Sequence, residues 1–71
     1  MSSETVATKL KALRKEKGES QAQTAEAIGI TPAAYAMYET GDRTPRDPVK
    51  EKIAEHFNKS IGFIFFDEGT H

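Results

Sequence analysis

The chain has 71 residues, 37% of them hydrophobic and 30% charged, with a net charge of −1, two histidines and no cysteine. This length predicts one small domain over residues 1–71 with a tight, well-capped core. The composition excludes a disordered chain, a disulfide framework and a thiolate metal site.

No apolar run, Phe63 to Phe66 included, approaches the length needed to span a membrane. Met1-Ser2-Ser3-Glu4 lacks the basic flank and apolar stretch of a secretory signal, so a cytoplasmic location with no membrane association is expected. Residues 1–17 carry five basic and two acidic side chains, residues 18–46 two and four, and residues 47–71 three and five, giving local charges of +3, −2 and −2. The positive patch therefore lies on the first helix, with Arg43 and Arg46 as isolated additions.

In chain order, the first helix is expected from about Glu4 to Lys17. Ser3 is its cap, and Val6, Leu10 and Leu13 form an apolar stripe at helical spacing. Gly18 ends it. Ser20-Gln21-Ala22-Gln23 reads as a capping box, in which the Ser20 hydroxyl accepts from the Gln23 amide and the Gln23 side chain reaches back. The second helix runs from Gln21 to Ile28 and stops at Gly29. Thr31 caps a third helix with Pro32 in its first turn, and Gly41 ends it near Thr40. A polar loop, Asp42 to Arg46, follows.

Asp47-Pro48 repeats the cap-plus-proline start. The fourth helix carries Val49, Ile53 and Phe57 on one stripe and stops at Asn58. Ser60 caps a short last helix, Ile61 to Phe66. There Ile61, Ile64 and Phe65 close the core, while Phe63 and Phe66 point elsewhere and offer a dimer or partner patch. The whole reads as an all-α chain of five short helices.

Helices two and three are joined only by Gly29, Ile30 and Thr31, the short glycine-bearing turn of a helix-turn-helix at about residues 20–40. Ala25 is small where the two helices meet, and Ile28, Ile30, Tyr35 and Tyr38 are expected to be buried between them and the remaining helices. His56 and His71 have no partner histidine, which argues against a metal site, and His56 reads as a surface residue. No catalytic constellation is evident, so neither an enzyme nor a bound cofactor is expected.

Together these residues resemble the Cro and phage-repressor helix-turn-helix regulators, an XRE-like family. The resemblance covers about residues 8 to 66. It is carried by Leu10, Leu13, Arg14, Lys17-Gly18, Ser20-Gln21, Ala25, Ile28-Gly29-Ile30, Tyr35-Ala36, Tyr38-Glu39, Gly41, Arg43, Pro45 and Ile53-Ala54. The stretch from Tyr35 to Pro45 is the most diagnostic part.

The resemblance implies a lambda-repressor-like fold and a transcriptional regulator from the lysis–lysogeny switch of a temperate phage. Its partner would be double-stranded operator DNA. It implies that Gln21 bonds a phosphate, that helix three enters the major groove, and that Thr31, Pro32, Ala33, Ala36 and Met37 face bases. Arg43 and Thr44 would meet the backbone; apart from the resemblance, Lys9 or Arg46 is expected as a further phosphate contact. Arg14 and Glu39 match a structural ion pair that ties helix one to helix three.

The chain departs from the family pattern in two places. Thr24 stands where helix two usually carries an apolar residue, and the base-facing positions hold almost no donors or acceptors. Weak DNA binding by the chain alone, dominated by phosphate contacts, is therefore expected. A second reading follows from the same residues. Gln21, Ala33, Ala36, Met37 and Thr40 would dock on a cognate phage repressor, making the chain an antirepressor or modulator. A homodimer through Phe63 and Phe66 is a further expectation.

Overall fold

Helix boundaries in the computed structural model, which describes residues 5–66, follow the capping chemistry of the chain closely. Among the described residues there are five helices and no strand. They are α1 (Val6–Lys17), α2 (Gln21–Ile28), α3 (Pro32–Thr40), α4 (Asp47–Phe57) and α5 (Ile61–Phe65).

Thr5 is the N-cap of α1, its Oγ1 accepting from the Thr8 amide at 3.1 Å. The expected cap Ser3 and start Glu4 lie outside the described residues. Both halves of the Ser20–Gln23 capping box are present, at 2.8 and 3.0 Å. Thr31 caps α3 by accepting from Ala34 at 3.1 Å.

Three boundaries differ from expectation: α1 starts at Val6 behind the Thr5 cap rather than at about Glu4, and the start of α4 and the end of α5 also shift. Arg46, not Asp47, occupies the N-cap of α4 and makes no side-chain cap bond. Asp47 is instead the first helical residue. There its carboxylate faces the positive end of the helix dipole and lies 3.7 Å from Lys50 Nζ. Helix α5 ends at Phe65, because Phe66 has left helical geometry at φ −126°.

The turn between α2 and α3 depends on Gly29. Its φ of +92° belongs to the left-handed region, which a Cβ disfavours. That conformation lets the Gly29 amide donate to Glu26 and the Ile30 amide donate to Ala25 at 3.0 Å, so the last carbonyls of α2 are satisfied as the chain reverses. Ile30 then packs against the core, and Thr31 starts α3.

The core is one cluster: Leu10 and Leu13 of α1, Ala25 and Ile28 of α2, Tyr35 and Tyr38 of α3, Ile53, Ala54 and Phe57 of α4, and Ile64 of α5. Tyr35 and Tyr38 meet edge to face, with ring centroids 6.3 Å apart. Helix α3 packs on both α1 and α2, and α5 closes the far side against α4 and α1.

The α5 pattern needs correction. Only Ile64 and Gly62 of this segment are buried. Ile61, Phe63 and Phe65 are all half-buried against the core, so Phe63 does not point away from it. Phe66 is 58% exposed. The reason is the short helix: five residues cannot hide a full apolar face, and Lys9, Lys50 and Lys59 cover the rings with their ammonium groups at 5.3 to 5.5 Å.

Candidate nucleic-acid interface

Helices α2 and α3 are held in place by a charge cluster at the point where α1, α2 and α3 meet. Arg14 of α1 makes a two-pronged contact with Glu39 of α3, Nε to Oε2 at 2.7 Å and Nη2 to Oε1 at 3.1 Å. Arg14 Nη1 donates to the Glu19 carbonyl at 2.8 Å, and Gln21 Nε2 of α2 donates to Glu39 Oε1 at 3.0 Å. The Glu39 side chain is 2% exposed and that of Arg14 11%.

Burial works to raise the Glu39 pKa, but hydrogen bonds from Arg14 and Gln21 outweigh it and hold the carboxyl below the usual carboxylate range. The Glu39 hydrogen bond is the main cause of the raised Arg14 pKa. Tyr35 lies beside this cluster. Its hydroxyl is buried without a hydrogen bond of ordinary geometry, and burial together with the neighbouring Glu39 carboxylate pushes the phenol far up.

A second polar network ties the α1–α2 turn to α4. Glu19 Oε1 accepts from the Thr24 hydroxyl at 2.7 Å and lies 2.8 Å from His56 Nε2. The His56 contact first, and the Thr24 hydrogen bond second, lower the Glu19 pKa. Thr24 is fully buried. Its hydroxyl is tolerated at that apolar position because Glu19 satisfies it.

His56 is therefore not a simple surface histidine. Its side chain is only 16% exposed, and its ring stands against Phe57 at 5.0 Å. Sequence reasoning missed this trio because its members are five and 37 positions apart. The one available signal was a threonine in an apolar slot, with a carboxylate just before the helix. His71 lies outside the described residues. Among the described residues no group of histidines, cysteines and carboxylates is arranged to hold a metal ion.

With Glu39 fixed inward, the opposite side of α3 faces solvent. Thr31, Pro32, Ala33, Met37 and Thr40 are exposed there, and Ala36 is half-buried. The α3–α4 loop continues this surface. Thr40, Arg43 and Thr44 line one cleft with Pro45 and the start of α1. Arg43, Thr44 and Arg46 line a second beside Tyr38 and Val49. Gln21 is half-buried, with one amide hydrogen committed to Glu39. The capping box takes up the amides of Ser20 and Gln23, while those of Gln21 and Ala22, in the first turn, have no intrahelical acceptor.

Lys9 is not part of this surface. It is 6% exposed, and its Nζ donates to the Phe63 carbonyl at 2.8 Å. An ammonium sunk between α1 and α5 is a core-closing group rather than a phosphate ligand.

A family model described as Helix-turn-helix matches residues 10–64. The crystal structure of the P22 c2 repressor protein in complex with synthetic operator 9T in the presence of Tl+ is similar at TM-score 0.86 and 16% identity, covering 89% of this chain and 96% of that one. At that identity the likeness is one of fold. A transcriptional regulator from Listeria innocua is similar at TM-score 0.81 and 27% identity, covering 87% of this chain and 58% of that one. The chain thus spans little more than half of the Listeria protein's length. No curated protein matches it by sequence.

Proposed function

The chain belongs to the helix-turn-helix family, and on that premise we propose that it is a transcriptional regulator that binds double-stranded operator DNA with α3 in the major groove. The observation that carries this reading is the exposed face of α3, held outward by the Arg14–Glu39–Gln21 cluster. Phosphates meet the free amide hydrogen of Gln21, the first-turn amides of α2, and Arg43, Thr44 and Arg46. Thr31, Pro32, Ala33, Ala36 and Met37 lie over the base edges. The similar fold of the P22 c2 repressor protein, solved in complex with a synthetic operator, supports this placement of α3, and a role in a lysis–lysogeny type of switch is part of the same proposal.

Binding by the chain alone is weak. Its net charge is −1, and Glu26 and Asp42 stand exposed on or beside the motif. With Arg43 and Arg46 as the principal phosphate-neutralising cations, the slope of log K against log salt is only about −2 per chain. Fluorescence anisotropy of a labelled duplex across a salt series tests this. A slope several units steeper, or tight sequence-selective binding at physiological salt, defeats the weak-binding reading.

The apolar character of the exposed α3 face favours a second reading. In it Gln21, Ala33, Ala36, Met37 and Thr40 dock on a cognate phage repressor, and the chain acts as an antirepressor. The acidic Glu26 and Asp42 suit approach to the basic DNA-binding face of such a repressor. Met37→Lys and Ala33→Glu separate the readings: repressor association that survives both changes, while duplex binding collapses, rejects the docking role. The dimer contact at Phe63 and Phe66 belongs to the same set of proposals. Exposed Phe66 supplies its apolar centre, and a sedimentation series with Phe66→Asp tests it.

A further inference from the structure

The residue just ahead of the α2 cap is held by three helices at once. The Glu19 carbonyl accepts from Arg14 Nη1 at 2.8 Å, and the Glu19 amide donates to the Arg14 carbonyl at 3.2 Å, which ties its backbone to α1. Its carboxylate accepts from the buried Thr24 hydroxyl of α2 and meets His56 Nε2 of α4, both on Oε1. Ser20, Gln21 and the first-turn amides of α2 follow directly. The grip on Glu19 therefore sets how firmly that turn is fixed to the rest of the chain.

Histidine is the side chain that ordinarily changes charge between about pH 5 and 8, whereas Glu19, held below the usual carboxylate range, stays ionised there. The other charged groups around the contact stand on every side of it. Lys17, at the end of α1, also favours ionised Glu19, and Arg14 is committed to Glu39. Glu16 and Lys59 border a cleft beside Phe63. On α2 the one titratable side chain is the exposed Glu26, on α4 Lys52 and Glu55 are the nearest in sequence, and α5 has none. A carboxylate only accepts hydrogen bonds, so Nε2 of His56 carries a hydrogen, and a proton taken up from solvent goes to Nδ1. The contact then changes from a neutral hydrogen bond into a charge-assisted one of about twice the strength. Resting on the reading of the α2 N-terminus as a phosphate contact, we infer that His56 and Glu19 are positioning residues that couple the phosphate-binding turn to pH. With an imidazolium at His56 the turn is held and DNA binds more tightly; with a neutral ring it is held less firmly. By reciprocity, a phosphate on the turn favours the proton on His56.

The test uses a fluorescein-labelled mixed-sequence duplex at one low salt concentration, with the chain carrying His71→Gln so that His56 is its one histidine. Between about pH 7.5 and about pH 5.5 the affinity rises about fivefold, the lower end of ordinary coupling between two sites. His56→Gln keeps a donor for Glu19 but cannot titrate, and Glu19→Gln keeps an acceptor but removes the ion pair; both, with helical circular-dichroism spectra, lose the rise. The nuclear magnetic resonance titration of the His56 ring moves to higher pH in the duplex-bound chain, and this displacement is absent in Glu19→Gln. An affinity that does not rise on acidification overturns the inference and leaves DNA binding standing. So does a rise that survives in Glu19→Gln, which makes it an effect of the imidazolium charge alone. A chain that binds no duplex at either pH overturns both the inference and the reading on which it rests.

Discussion

Replacing Arg14 by methionine removes the cation but keeps much of the aliphatic volume, and leaves Glu39 at 2% side-chain exposure without its charge partner. The carboxylate then loses the 2.7 and 3.1 Å bonds from Arg14 and keeps only the 3.0 Å bond from Gln21. The Glu19 carbonyl loses its 2.8 Å donor as well. Breaking a buried pair from one side costs about 3–5 kcal/mol, because a charge is left uncompensated. The lower end applies here, since Gln21 remains and Glu39 escapes part of the penalty by taking up a proton. A loss of ~3 kcal/mol is a large share of the ~4–11 kcal/mol expected for a chain of this size. At about 4–8 °C per kcal/mol it lowers the melting temperature by roughly 12–24 °C.

Urea denaturation followed by far-ultraviolet circular dichroism measures the loss directly. The deficit shrinks on mild acidification, as protonation of Glu39 becomes easier. The double variant Arg14→Met with Glu39→Leu recovers much of the loss, because no charge remains to be buried; the cycle yields a coupling of about 2 kcal/mol or more. A single-variant loss below about 1 kcal/mol, the range of an exposed pair, together with no coupling in the cycle, refutes the reasoning.

Three further outcomes are expected. Tyr35→Phe removes a buried hydroxyl that has no hydrogen bond of ordinary geometry and changes stability by no more than about 1 kcal/mol in denaturant titrations, the net worth of an ordinary hydrogen bond. Gly29→Ala costs about 1–2 kcal/mol by the same assay, from its left-handed backbone alone, since an added Cβ meets nothing within 4 Å; Gly29→Asn costs less than Gly29→Ala. Glu19 and Glu39 have lowered pKa values in the folded chain, so the folded state binds fewer protons than the unfolded one in the acid range. The stability they contribute is complete above the ordinary carboxylate pKa and is lost as pH falls through that value to the lowered folded values. Denaturation series run downward from neutral pH should show this decline, and a Glu19→Gln variant should show less of it.

Local chemistry made most of the fold legible in the sequence. Ser20 with Gln23, Thr31 with Pro32, and Gly18, Gly29, Gly41 and Asn58 each act within a few residues of their position, so helix ends are set by short-range hydrogen bonds that a sequence displays. The start of α4 was misplaced by one residue because Asp47 serves equally well as a cap or as a first-turn carboxylate, and only the backbone distinguishes the two.

Long-range polar contacts were less visible. Likeness to a family pointed to Arg14 and Glu39, but nothing in spacing alone joins residues 25 positions apart. Lys9 reads in the sequence as any solvated lysine on a basic helix, yet its ammonium donates to a carbonyl 54 residues away, in the five-residue α5. The engagement of Thr31, Thr40 and Gln21 within the chain was equally hidden, because a polar side chain in a sequence does not show which of its hydrogen bonds is already made.

The most direct test of the DNA-binding account is amide chemical-shift mapping of the isotopically labelled chain as duplex DNA is added at low salt. The account predicts shifts concentrated at Gln21 and Ala22, at Thr31 to Met37, and at Arg43 to Arg46, with α5 and the outer face of α4 unchanged. Shifts confined to α1, α4 or α5, or no shifts at all at low salt, contradict it.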